Sequence, residues 1–159
     1  MWTPLDSQEA VDALVAKTYG FHDTVLREIA VSGETFVGPD LSISCPSHLE
    51  VSALLFVQCE NRDLPGLELC CRGVSQLSLT PTPDGCDSII FTGSLVRESS
   101  SLRLTLEYVN RPLFSHGTGT LAALAAHGPS GLVLVAQSIS WRPLLDALGD
   151  KPRYTCRPA

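Results

Sequence analysis

The sequence predicts an α+β domain dominated by antiparallel strands: about seven of them form a sheet, a sandwich or a partly open barrel, with one helix at the N-terminus. One early stretch places apolar residues at helical spacing, whereas most of the remainder consists of short β-rich segments joined by turns. The length of 159 residues suits a single domain, residues 1–159. The tail, residues 149–159, is rich in proline and charge and is expected to be weakly structured.

Residues 6–19 carry the helix signal. Asp6 or Ser7 can serve as the N-cap, and Gly20 suits the left-handed position that commonly follows a helix. Four apolar residues lie at helical spacing between them: Ala10, Val11, Leu14 and Val15. We therefore expect the helix to end at or just before Gly20.

The strand signals follow in series. "LEVSALLFVQC" is apolar on both faces, which is typical of a central strand covered on two sides, and "LELCCRGVSQLSLTP" predicts a strand with a bulge or bend at Gly73. "SLRLTLEYV" alternates strictly, and "SGLVLVAQSISWRPL" predicts a long final strand. Pro39 and Pro46 confine the segment between them to an edge or loop. Residues 121–126 favour a short helix or a flexible surface loop.

Charge and composition exclude some classes of function. Seventeen acidic residues against eleven basic ones give a formal net charge of -6, and the basic residues form no stripe. This argues against a nucleic-acid partner, because phosphate binding needs clustered basic residues, and it favours a basic protein partner. The sequence shows neither a secretory signal nor an apolar run long enough for a membrane span, so we expect a soluble, cytoplasmic protein without a membrane partner.

Metal and cofactor signals are weak. The six cysteines include no C-x-x-C pair, and the four histidines lack the spacing of a helical zinc motif. The cysteines are Cys45, Cys59, Cys70, Cys71, Cys86 and Cys156. We expect them to be reduced, buried and structural, and we predict no metal and no cofactor, although a site assembled only in three dimensions stays open.

His22 and Asp23 in "YGFHDTVLREI" are the best candidate polar site. In a functional interpretation His22 is a general base or ligand, and Asp23 anchors it. In a structural interpretation Asp23 closes an Asx-type turn, Phe21 packs into the core and His22 caps nearby carbonyls. Because neighbouring side chains on an extended backbone diverge, we do not expect His22 and Asp23 to pair with each other. No catalytic residue is assigned, and the protein is expected not to be an enzyme.

Arg72 and Trp141 complete the candidate set. Arg72 lies in an apolar strand, where it is either a rim residue with a packed stem or a buried charge paired with Glu68 or Glu50. Trp141 is either a core or edge aromatic or part of a ligand pocket.

The stretch "YGFHDTVLREI", followed by "LEVSALLFVQC", "LELCCRGVSQLSL" and "LVLVAQSISWRPL", resembles small bacterial proteins with an N-terminal Phe-His-Asp signature. Proteins of this size and acidity include immunity proteins of polymorphic toxin systems. The resemblance bears on the fold more than on the function. Because the chain is acidic and lacks a catalytic constellation, the leading hypothesis is a non-catalytic protein-binding module, of the inhibitor or immunity type, that meets a basic partner. The alternative is a small-ligand-binding β-barrel, or an enzyme that uses His22 and Asp23. Unpaired sheet edges also suggest a homodimer.

Overall fold

The computed structural model describes residues 1–45, 50–82, 87–108, 130–150 and 152–154. The helix α1 spans Gln8–Lys17, and a single 3-10 turn follows at Tyr19–Phe21. The strands are β1 (Thr3–Pro4), β2 (Thr24–Gly33), β3 (Phe36–Val37), β4 (Ile43–Ser44), β5 (Val51–Cys59), β6 (Gly66–Thr80), β7 (Ile90–Arg97), β8 (Leu102–Tyr108) and β9 (Gly131–Pro143). The short helix expected at residues 121–126 lies outside the described residues.

Seven strands form one antiparallel sheet in the order β1-β9-β6-β5-β2-β7-β8. Because β8 also pairs with β9, the sheet curls into a partial ring. The ring is weakest between β2 and β7, which share a single residue pair, Thr24 with Ile90. The prediction of an α+β fold with about seven antiparallel strands and one N-terminal helix is confirmed.

The inside of the ring is filled by alternating apolar side chains. As the alternation in "SLRLTLEYV" predicts, Leu102, Leu104 and Leu106 are buried. The neighbouring strands contribute Ala53, Leu55, Val57, Leu67, Leu69, Cys71, Leu132, Leu134 and Ala136. Burying a leucine side chain fully contributes about 2 kcal/mol, so this cluster is the main source of stability.

The helix is capped and packed as its sequence indicates. The Ser7 hydroxyl accepts a hydrogen bond from the backbone N–H of Ala10 at 3.1 Å, which identifies Ser7 as the N-cap. Val11 and Leu14 are fully buried against the interior cluster. The helix ends at Lys17, before Gly20, which has a φ of +66°.

The outer face of the sheet carries a row of four side chains at one register: Glu28, Phe56, Glu68 and Arg142. The described residues that follow β9, 144–150 and 152–154, pack over this row, and we call them the C-terminal strap. Leu144, Ala147 and Tyr154 form a second apolar cluster with Phe56. The central strand β5 is therefore covered on both faces, as predicted.

Within the tail for which weak structure was predicted, Arg153 and Tyr154 are described and held in place. Their backbone N–H groups donate to the Glu28 carboxylate at 2.7 and 2.8 Å. The Tyr154 hydroxyl donates to Glu68 at 2.7 Å, and the Arg153 guanidinium lies 5.0 Å from the centre of the Phe56 ring. Residues 151 and 155–159 lie outside the described residues.

Two local irregularities follow from the sequence. Gly73 has a φ of +61°, and the β6–β9 register shifts between Val74 and Gln76, one residue beyond the predicted bulge. Among the strands that the structure describes, β3 and β4 pair only with each other and form a separate hairpin. No helix among the described residues is long and apolar enough to span a membrane.

Candidate functional site

The chain reverses between α1 and β2 through a left-handed corner. Tyr19, Gly20 and Phe21 have φ values of +50°, +66° and +59°, and Asp23 has a φ of +54°. Tyr19 and Phe21 carry large side chains, and each costs roughly 1–2 kcal/mol in this conformation, which aspartate adopts more readily. Such strain persists only where the surrounding structure enforces it, and it is concentrated at functional sites.

Packing and hydrogen bonds hold the corner. Phe21 is fully buried, as the structural interpretation predicted, and it fits because Gly93 has no side chain: a Cβ there would lie 2.9 Å from the Phe21 Cβ. The Thr24 hydroxyl donates to the Phe21 carbonyl at 2.7 Å. The Asp23 backbone N–H donates to the Ile90 carbonyl at 3.1 Å. Thr24, rather than an Asx turn at Asp23, thus closes the reversal through its side chain.

His22 and Asp23 pair with each other, contrary to the prediction. The distance from His22 Nδ1 to Asp23 Oδ2 is 2.9 Å. The prediction was wrong because it assumed an extended backbone, whereas the left-handed conformation of Asp23 turns its carboxylate back toward the imidazole. The His22 ring also lies against Phe91, with a distance of 5.2 Å between ring centroids. Both partners are exposed, with 46% of the His22 side chain and 61% of the Asp23 side chain accessible.

Beside this pair lies an open cleft of about 280 Å³, which we call the corner cleft. It is lined by Asp23, Val25, Gln58, Cys59, Glu60, Ile89, Leu148 and Gly149. The walls come from the start of β2, the end of β5, the approach to β7 and the C-terminal strap. The charged residues among the described part of its lining, Asp23 and Glu60, are both acidic.

The chemistry of the corner cleft is limited. The one thiol among its described lining residues belongs to Cys59, and burial raises the pKa of that thiol to about 11. A thiol with this pKa stays protonated near neutral pH, so Cys59 is a poor nucleophile. Among the described residues, no group of three or more histidine, cysteine or acidic side chains is placed to hold a metal ion. The cleft is therefore better suited to binding than to covalent chemistry.

Arg72 and Trp141 do not line the corner cleft. Arg72 is exposed on β6, as in the rim interpretation, and it pairs in register with Ser138. Glu68 is a buried carboxylate, but its basic partner is Arg142, whose Nε donates to Glu68 at 2.6 Å. Trp141 packs partly buried at the margin of the core, with the Lys17 ammonium 5.5 Å from its ring centroid.

Sequence reasoning missed Glu60, Ile89 and Leu148. These residues come from three separate parts of the chain, so no spacing in the sequence links them. One signal was available in "DSIIFTG": a strand that begins with three consecutive apolar residues must turn some of them outward. The structure buries Ile90 and leaves Ile89 and Phe91 exposed.

No protein-family model, no curated protein and no solved structure matches the chain. The resemblance to proteins with a Phe-His-Asp signature stays a prediction.

Proposed function

We propose that the protein is a non-catalytic protein-binding module of the inhibitor or immunity type, and that it captures a basic partner protein. The single observation that supports this most directly is the corner cleft, in which apolar walls lie beside two carboxylates. We place the protein in the cytoplasm, an assignment supported by the free thiols of Cys59 and Cys71.

The lining of the corner cleft complements a lysine or arginine side chain. Ile89 and Leu148 offer apolar surface to the methylene stem of such a side chain, while Asp23 and Glu60 attract its cationic head. The chain as a whole has a formal charge of -6, so its field also attracts a basic partner during the approach.

The surface around the cleft has the make-up of a small binding patch. Ile89, Phe91 and Leu148 are 40%, 50% and 69% exposed, and His22 packs on the Phe91 ring. Aromatic and aliphatic anchors surrounded by polar groups are typical of the energetically important part of protein interfaces. In contrast, the interior is filled by the described apolar side chains, which argues against a ligand held inside the ring.

Affinity capture with charge-matched variants tests the proposal. The variant Asp23→Asn/Glu60→Gln removes both cleft carboxylates, whereas Asp6→Asn/Glu9→Gln removes two exposed carboxylates near the start of α1 and has the same net charge. We expect immobilised wild type and the control to retain a basic protein that salt elutes, and the cleft variant to lose it. Equal retention by all three would place the interface elsewhere, and a retained partner that is not basic would contradict the proposal.

A second candidate function is an enzyme that uses His22 and Asp23. The observation that favours it is the 2.9 Å distance between His22 Nδ1 and the Asp23 carboxylate, since a carboxylate beside one ring nitrogen favours proton transfer at the other. We would measure hydrolysis of activated esters by wild type and His22→Gln. A rate above that of free imidazole that disappears in His22→Gln would favour the enzyme, and equal rates would count against it.

A further inference from the structure

We infer that an extended segment of the partner adds as a strand to the free edge of β2, with one of its lysine or arginine side chains in the corner cleft. The inference rests on the proposed function and specifies how the basic partner is held. Strand addition of this kind draws affinity from main-chain hydrogen bonds and specificity from pockets for alternate side chains.

The free edge follows from the strand pairing. One edge of β2 pairs with β5 from Thr24 to Gly33, whereas the other edge meets β7 only at Thr24. From residue 25 to residue 33, no strand among the described residues pairs with this second edge. Alternate residues of an edge strand turn N–H and C=O groups outward, where another chain can pair with them.

Within the described part of the chain, the second half of this edge has neither the charges nor the bulge by which proteins protect exposed edges. A bulge places Arg27 out of register, between Leu26 and Glu28, and its guanidinium donates to the Asp150 carbonyl. Bulges and charges of this kind discourage pairing. The five residues beyond Glu28 form the uncharged sequence "IAVSG", which continues to pair regularly with β5 on its other side. We expect the partner segment to pair mainly with these residues.

The edge leads directly to the corner cleft. Val25 pairs with Gln58, and both residues line the cleft. Val25 precedes Ile29 by four positions, about 13 Å along an extended strand. A segment of about nine residues therefore spans the edge and brings one side chain beside Asp23 and Glu60.

Charge complementarity indicates which molecule pairs with the free edge of β2. Among the described residues, the charged side chains that line the cleft are acidic, and the whole chain carries a formal charge of -6. A second copy of this chain would bring further negative charge to that position, whereas a basic partner brings the opposite sign. The occupant we infer is thus a basic partner segment rather than a second copy.

A peptide series tests the inference on the full chain by NMR. The probe is a nine-residue peptide of threonine and serine with arginine near its carboxyl end, which antiparallel pairing would place at Val25. We expect it to shift the amide signals of Val25 and Ile29 to Val31 and to slow their hydrogen exchange. Replacing its arginine by glutamine, or N-methylating alternate amides on its pairing edge, should each weaken binding about tenfold or more.

The outcomes separate the two proposals. If N-methylation has no effect while loss of arginine weakens binding, the inference of strand addition is wrong, and the proposal that the corner cleft binds a cationic side chain is retained. If loss of arginine has no effect while N-methylation weakens binding, the basic-partner proposal is wrong, and with it the cleft as the cation site. Absence of binding by the arginine peptide would overturn both. A wild type that is dimeric, with exchange already slow along this edge, would make a second copy the occupant.

Discussion

Deleting the hydroxyl of Tyr154 should weaken the attachment of the C-terminal strap. That hydroxyl donates to Glu68 at 2.7 Å, and Glu68 is only 3% exposed. Burial and the bond to Glu68 together raise the pKa of Tyr154, so the hydroxyl remains a donor throughout the neutral range. Because Leu148 and Gly149 of the strap line the corner cleft, the prediction also concerns the candidate site.

The magnitude follows from the groups involved. A hydrogen bond to a charged partner contributes about 1.5–3 kcal/mol, and the lower end applies because Tyr154 is only partly buried. Glu68 keeps its bond from Arg142 in the Tyr154→Phe variant, so no buried charge is left unpaired. We therefore expect Tyr154→Phe to lower the free energy of unfolding by about 1.5 kcal/mol. Glu68→Gln should lower it by about 2–3 kcal/mol, since it also removes the ion pair with Arg142.

A double-mutant cycle measured by urea unfolding isolates the bond. The four proteins are wild type, Tyr154→Phe, Glu68→Gln and the double variant, compared by midpoint at unchanged slope. We expect a coupling free energy of about 1 kcal/mol between the two positions. Tyr19→Phe is the matched control, because it deletes the same hydroxyl from a side chain that is 75% exposed, and it should change stability by less than about 0.5 kcal/mol.

A coupling free energy indistinguishable from zero would refute the reasoning, since the Tyr154 hydroxyl would then not bond to Glu68 in solution. A loss in Tyr19→Phe as large as that in Tyr154→Phe would refute it as well. In either case the strap could no longer be treated as a fixed wall of the corner cleft.

Three further predictions concern the core, the thiols and the hairpin. Gly93→Ala should destabilise by about 1–3 kcal/mol in thermal or urea unfolding, because the added Cβ would lie 2.9 Å from the Phe21 Cβ. Burial raises the pKa of Cys59 from 9.0 to about 11, so as the pH rises the unfolded chain loses this proton before the folded chain does. The free energy of unfolding should therefore fall as the pH rises above about 9. The urea midpoint of Cys59→Ala should fall less steeply than that of wild type over the same pH range. Phe36→Ser should leave the midpoint within about 0.5 kcal/mol of wild type, since Phe36 is 62% exposed on the separate hairpin, and a larger loss would mean that the hairpin packs on the domain.

Local patterns predicted the elements well. The Ser7 cap, the apolar stripe of α1 and the alternation of β8 each depend on neighbours within a few residues, and the structure confirms all three. The two-sided apolar pattern of β5 also predicted a covered strand correctly. This pattern could not show that the C-terminal strap, almost ninety residues later in the chain, covers the outer face of β5. The strap contacts Gln58, Phe56 and Glu68.

The candidate site was predicted only in part. "FHD" drew attention to His22 and Asp23, and both lie at an exposed corner. The close approach of their side chains was missed because it depends on the left-handed backbone of Asp23, which the burial of Phe21 beside Gly93 helps to hold in place. Glycine at position 20 signals such a turn from sequence, but Tyr19 and Phe21 adopt the same conformation against their own preference.

The sequence by itself determined the fold class, the helix and its cap, the alternation of the strands and the acidic balance of the chain, because these depend on composition and on spacing over a few residues. Only the tertiary structure decided which distant residues meet. In the folded chain Glu28 and Glu68 accept hydrogen bonds from the C-terminal strap, and one edge of β2 is unpaired among the described residues. Four separate segments form the corner cleft. These contacts depend on how the sheet curls and where β2 separates from β7, and no local pattern encodes that geometry.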